Sequence, residues 1–217
     1  MIKSLIFDFD GTLADTNEAI VRTFQETFRS MGMPVPTRER VTSTIGLALR
    51  DGLKAGMDNL SEEDADEAMI RYRRFFNDIA IPVTKPFPDA QETLRRLCEQ
   101  GYHLTIATSR SHHSLEILAE KIGVAGYFKG MFGAEDVVNH KPAPDLVNLI
   151  LGKFGFKPEE ALVIGDATYD LLMGKGAGCR VCGVTWGNQN REKLATAGPD
   201  YIIDSFGELF DILHELK

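Results

Sequence analysis

The chain has little cysteine, a single tryptophan and no long apolar run in its 217 residues. Its three cysteines, Cys98, Cys179 and Cys182, are too few for a disulfide framework at this length, which excludes a disulfide-stapled scaffold. No stretch approaches the roughly 20 apolar residues of a membrane-spanning helix. The chain starts with one lysine and a short apolar run before acidic residues, so no signal peptide is expected. Positive charge is also in deficit. Against 32 Asp and Glu stand 24 Lys and Arg, a formal charge of −8. Such a field repels polyanions and argues against nucleic acid or an anionic membrane as a partner, though not against a local basic pocket. The expectation is a cytoplasmic protein, monomer or homodimer, whose partner is a small molecule.

What is present is enough apolar material, 43%, for a substantial core. Short apolar or β-branched runs at Ile2–Phe7, Tyr102–Thr108, Met131–Gly133, Ala161–Gly165, Arg180–Val184 and Tyr201–Ile203 read as strands. Helical stripes fall between them: Ala90, Leu94, Leu97 and Cys98 before Gly101, then Leu115, Leu118, Ala119 and Ile122 before Gly123. A last stripe runs through Phe206, Leu209, Phe210, Leu213 and Leu216. Alternating strand and helix predicts an α/β fold with a largely parallel sheet covered on both faces. Residues 17 to about 81 break the alternation with helical patterns only. One stripe holds Ile20, Phe24 and Phe28, and Ser61 opens a second helix with acids first and arginines later. Residues 81–88, IPVTKPFP, read as a stiff extended connector back to the sheet.

Four polar clusters lie at or near predicted strand ends, where such sheets bind ligands: Asp8/Asp10, Thr108/Ser109, Lys141 and Asp166/Asp170. Asp8 and Asp10, two apart, can face one pocket, but two facing carboxylates repel without a cation. Adding Asp166 and Asp170 supplies enough anionic oxygen for a hard divalent ion, and carboxylates with water and phosphate suit Mg²⁺. An EF-hand does not fit, because Gly11 as the loop glycine would put Ile6 and Asn17 at ligand positions. Aspartate is a competent nucleophile for phosphoryl transfer, and a second carboxyl can protonate the leaving alkoxide. Lys141 can neutralise the transferred group, with Thr108 or Ser109 gripping its oxygens. The C-x-x-C spelling at Cys179 and Cys182 lies on a buried strand, where residues three apart diverge. His112 and His113, adjacent on a helix, also diverge.

The sequences DFDGTL (8–13), IATS (106–109), KPAPD (141–145) and GDATYD (165–170) together resemble the four motifs of the haloacid dehalogenase-like phosphatases, and more closely their phosphoglycolate phosphatase-like branch. The likeness spans nearly the whole chain. It implies a Rossmann-like core of residues 1–15 and 84–217, with the first strand central and flanked by those ending at Thr108 and Gly165. A small all-helical cap, residues 16–83, is inserted after that strand. It further implies Asp8 as nucleophile, Asp10 as general acid/base, and Gly11, Thr108, Ser109 and Lys141 around the phosphate. Mg²⁺ would sit on the Asp8 side chain, the Asp10 carbonyl and Asp166, with Asp170 orienting Lys141. Arg50, in a segment (44–50) similar to the cap's specificity segment, would meet a substrate carboxylate or second phosphate. An acid at Asp10 points to phosphate transfer rather than dehalogenation. The expected activity is Mg²⁺-dependent hydrolysis of a small anionic phosphomonoester, phosphoglycolate-like, through an aspartyl phosphate. Pyrophosphate hydrolysis, sugar-phosphate hydrolysis or a mutase are the alternatives within the family, and a non-catalytic phosphate or nucleotide sensor is the alternative outside it.

Overall fold

The first strand, β1 (Ser4–Phe7), is buried along its whole length and sends alternate side chains to opposite faces. Leu5 and Phe7 enter one apolar layer and Ile6 the other. This computed structural model describes residues 1–216. After β1, a two-residue strand β2 (Ala14–Asp15) precedes four helices, α1 (Asn17–Ser30), α2 (Arg38–Thr42), α3 (Leu49–Gly56) and α4 (Glu62–Val83). The chain returns through β3 (Lys85–Pro86), which pairs antiparallel with β2. Then follow α5 (Ala90–Glu99), β4 (His103–Ala107), α6 (His112–Lys121), β5 (Gly130–Phe132), α7 (Asp145–Phe154), β6 (Ala161–Gly165) and α8 (Thr168–Gly176). The chain ends with β7 (Arg180–Val184), α9 (Arg191–Ala195), β8 (Tyr201–Ile203) and α10 (Glu208–Glu215).

Six strands form one parallel sheet in the order β5-β4-β1-β6-β7-β8. The expected α/β fold with β1 central is therefore observed. β1 lies between β4 and β6, the point where the order reverses and where ligands bind beyond the carboxyl ends. Side chains of α7, α8 and α9 fill one face, and those of α5, α6 and α10 the other. The second apolar layer continues without a break into the helical insert through Phe24, Phe28, Leu53, Tyr72 and Phe76. Cys182 packs into one layer and Cys179 into the other, so the two sulfurs diverge as the strand period requires.

The extended connector expected over residues 81–88 is only partly observed. Residues 81–83 are not extended: α4 runs through Pro82 to Val83. Pro82 has no N–H to give the carbonyl four residues back, so it costs α4 one hydrogen bond in its last turn. There Thr84 donates both its N–H (3.1 Å) and its hydroxyl (2.9 Å) to the Ala80 carbonyl, and the Lys121 ammonium donates to the Ile81 carbonyl. At the other end, Thr16 precedes α1 but makes no capping bond, and its buried hydroxyl has no partner among the described residues. The α4 start behaves as expected, with Ser61 accepting from the Asp64 N–H at 3.0 Å.

Candidate active site

Asp8 lies one residue beyond β1 and still donates its N–H to the Ile164 carbonyl of β6 (2.8 Å). Thr108, just past β4, does the same to Phe132 of β5 (3.0 Å). The strand ladder thus fixes both at the sheet's carboxyl edge. Asp166 follows β6 directly, and Asp170 stands in the first turn of α8, accepting the Ala167 N–H at 3.0 Å. Carboxylate oxygens of Asp8, Asp166 and Asp170 lie within 4.8 Å of one another, and all three side chains are buried.

Lys141 enters this cluster from the loop before α7. Its ammonium donates to Asp8 Oδ1 at 2.5 Å and Asp170 Oδ1 at 2.6 Å, with all three side chains almost inaccessible. Asp166 Oδ2 accepts both the N–H and the side-chain amide of Asn188 at 2.7 Å, and Thr12 donates to Oδ1 at 3.3 Å. Both Asp170 oxygens are therefore held by nitrogen donors, whereas one oxygen each of Asp8 and Asp166 is not, among the described residues. Three buried carboxylates share one ammonium, and the charge imbalance shows in the acidities of Asp8 and Asp166. Burial raises the Asp8 pKa well above the usual carboxylate range, with Lys141 opposing and Asp170, Asp166 and Asp10 adding to the rise. Burial, then the Asp170 charge, pushes Asp166 up to about 7 against the Asn188 hydrogen bonds. A divalent cation removes this imbalance, and hard anionic oxygens without sulfur or imidazole fit Mg²⁺.

Gly11 makes the turn after Asp10 possible. Its φ is +80°, and a Cβ there would lie 2.1 Å from Asp166 Oδ2. Asp10 faces the same cavity but is fully engaged. Arg110 donates from Nε to Oδ2 (2.9 Å) and from a terminal nitrogen to Oδ1 (2.6 Å). Ser109 donates its hydroxyl to the Gly46 carbonyl of the insert (2.7 Å), and Thr108 Oγ1 accepts the Arg110 N–H (3.3 Å).

A cavity of about 590 Å³ opens between these strand ends and the insert. Asp8, Asp10, Thr108 and Arg110 form its polar side, while Phe24, Leu47, Met69, Tyr72 and Phe76 form an apolar wall. Arg50 also lines it, but its guanidinium is paired with Glu62 (2.8 Å) and Asp66 of α4. The residues singled out in the sequence thus converge on one place, Arg50 at its rim with both neighbours acidic. Arg110 and Asn188 were not among them. Arg110 immediately follows Thr108-Ser109, and Asn188 follows the end of β7, so the strand-end rule applied to every strand finds both.

Comparison with known proteins agrees with this geometry. Residues 5–184 match the family of haloacid dehalogenase-like hydrolases. A protein of Dickeya dadantii named "probable phosphatase IndB" is 36% identical over 98% of this chain and 94% of its own length. The pyrophosphatase PpaX of Anoxybacillus flavithermus is 34% identical over 98% of this chain and 97% of its own. Among solved structures, CbbY of Rhodobacter sphaeroides, in complex with xylulose-1,5-bisphosphate, superposes with a TM-score of 0.84 at 25% identity, covering 96% of each chain. No helix among the described residues is long and apolar enough to cross a membrane.

Proposed function

The chain belongs to the haloacid dehalogenase-like hydrolases and is a phosphatase of that family, and we propose that it hydrolyses the phosphomonoester of a small anionic metabolite through an aspartyl phosphate on Asp8. The observation that carries this reading is the buried Asp8–Lys141–Asp170 chain beside Asp166, with Asp8 lining the cavity that also holds Asp10 and Thr108. In the first step an Asp8 carboxylate oxygen bonds to phosphorus as the bond to the leaving oxygen breaks. Asp10 gives that oxygen a proton. In the second step Asp10 takes a proton from water, which attacks phosphorus and frees inorganic phosphate from Asp8. Lys141 keeps Asp8 oriented and offsets charge on the phosphoryl oxygens. Thr108 and the turn at Gly11 give those oxygens hydrogen-bond donors. Asp170 holds Lys141 in place. The Asp8 side chain, the Asp10 carbonyl and Asp166 would hold Mg²⁺, which supplies further charge neutralisation at the phosphoryl group.

Residues 16–83 act in this reading as a cap that covers the cavity and excludes water, and residues 1–15 and 84–217 as the catalytic core. A phosphoglycolate-like substrate fits the reading. Pyrophosphate is the second reading, supported by the relative of that activity. Phosphate release from a panel containing phosphoglycolate, pyrophosphate, sugar phosphates and p-nitrophenyl phosphate, with and without Mg²⁺, tests both. Turnover that persists in Asp8→Asn, or that ignores removal of Mg²⁺, overturns the mechanism.

A further inference from the structure

Arg110 is an unusual neighbour for a proton donor. Its guanidinium takes both oxygens of Asp10, and the two side chains are only 7% and 13% exposed. Asp10 is its only ion-pair partner among the described residues. The insert closes over the pair, with the Arg110 guanidinium 5.1 Å from the centre of the Phe76 ring and Tyr72 beside it on the same cavity wall. In this arrangement both Asp10 oxygens are held in the guanidinium fork, and one must leave it to reach a leaving group. Turning one away strands a guanidinium under aromatic side chains with its carboxylate gone, and an unpaired buried charge is strongly disfavoured. The exchange becomes neutral if the incoming molecule brings an anion of its own.

We propose that Arg110 is a specificity-determining residue, which exchanges its carboxylate partner Asp10 for a second anionic group of the substrate, a carboxylate or phosphate distinct from the phosphoryl group transferred. This rests on the phosphatase reading above. A guanidinium fork accepts either anion in the same two-point manner it now accepts Asp10. Binding of the correct substrate then releases the acid at the moment it is needed, and a phosphomonoester lacking the second anion leaves the pair shut. Arg50 is a poorer candidate for that anion, since two acidic side chains of α4 already hold it.

The test uses phosphate esters in pairs that differ by one anionic group: ethyl phosphate with 2-phosphoglycolate, glycerol 3-phosphate with 3-phosphoglycerate, and glucose 6-phosphate with glucose 1,6-bisphosphate. In the wild-type enzyme at least one pair shows a kcat/KM preference for the anion-bearing member of about tenfold or more. Arg110→Gln collapses that preference toward unity, chiefly by raising KM for the anion-bearing member, and Arg110→Lys, which keeps charge without the fork, falls between. A structural role alone lowers both members of each pair by one factor and leaves the ratio intact; that result overturns the proposal, as does a wild type with no preference in any pair. Should Arg110→Gln fail to fold, the same ratios in Arg110→Lys decide. The phosphatase reading fails separately, by the absence of phosphate release from every ester in the wild type.

Discussion

The two sides of the cavity are built on opposite principles. On the sheet side, the polar groups around Asp8 are buried or half-buried and tied to one another by short contacts between residues far apart in sequence: Lys141 to Asp8 and Asp170, and Asn188 to Asp166. On the insert side, the wall is largely apolar and its charges are paired with exposed acids, Arg50 with Glu62 at the rim and Arg40 with Asp58 farther out. Groups held on several sides cannot move without cost, which suits chemistry that every substrate shares. A wall of Leu47, Met69 and Phe76 can be altered residue by residue without leaving a buried charge unpaired, which suits selection among substrates.

Variants on the two sides should therefore fail differently. The largest expected effect is that of Asp8→Asn, which lowers turnover by at least about 10⁴-fold in a phosphate-release assay while its melting temperature holds or rises, since one of three crowded negative charges is gone. Next comes Lys141→Ala, which loses turnover and also about 3–5 kcal/mol of stability by stranding Asp8 and Asp170. Denaturant unfolding measures it, and the double variant with Asp8→Asn should recover part of the loss if the two residues are coupled.

Mg²⁺ gives an intermediate effect with a defined sign. A carboxyl held at about 7 when folded keeps a proton that the unfolded chain releases near its ordinary 3.8. The metal-free protein therefore loses stability as pH rises through that window. Mg²⁺ requires the ionised form, so its thermal stabilisation should be larger at pH 8 than at pH 5.5, and an equal shift at both would count against Asp166 as a ligand. Smallest is Arg50→Ala on the insert: a few-fold rise in KM, unchanged turnover of p-nitrophenyl phosphate, and a melting temperature close to that of the wild type. A collapse of turnover there would erase the contrast between the two sides.

Legibility in the sequence follows the same division. The sheet strands are legible because β1 and β6 are nearly continuous apolar runs, buried along their whole length, as a sheet covered on both faces demands. The clusters at their ends were readable because a buried aspartate after such a run has few structural reasons to be there. Residues 81–83 read as extended because proline usually ends a helix, a local rule that α4 overrides. Arg110 and Asn188 carry no spelling of their own. Their roles come from partners 100 and 22 residues away, a pairing that only the folded chain creates.

The small antiparallel ribbon of β2 and β3 sits where the insert leaves and rejoins the sheet. Ala14 pairs with Pro86 and Asp15 with Lys85, and the Phe87 N–H reaches the Leu13 carbonyl at 3.0 Å, so the chain departs and comes home through one pair of adjacent rungs. Whatever lies between Thr16 and Thr84 is plugged into a socket whose two contacts are already side by side. A foreign helical segment spliced at those two residues meets a fixed spacing and direction, provided the graft supplies apolar side chains to meet the face that Phe24, Tyr72 and Phe76 now cover.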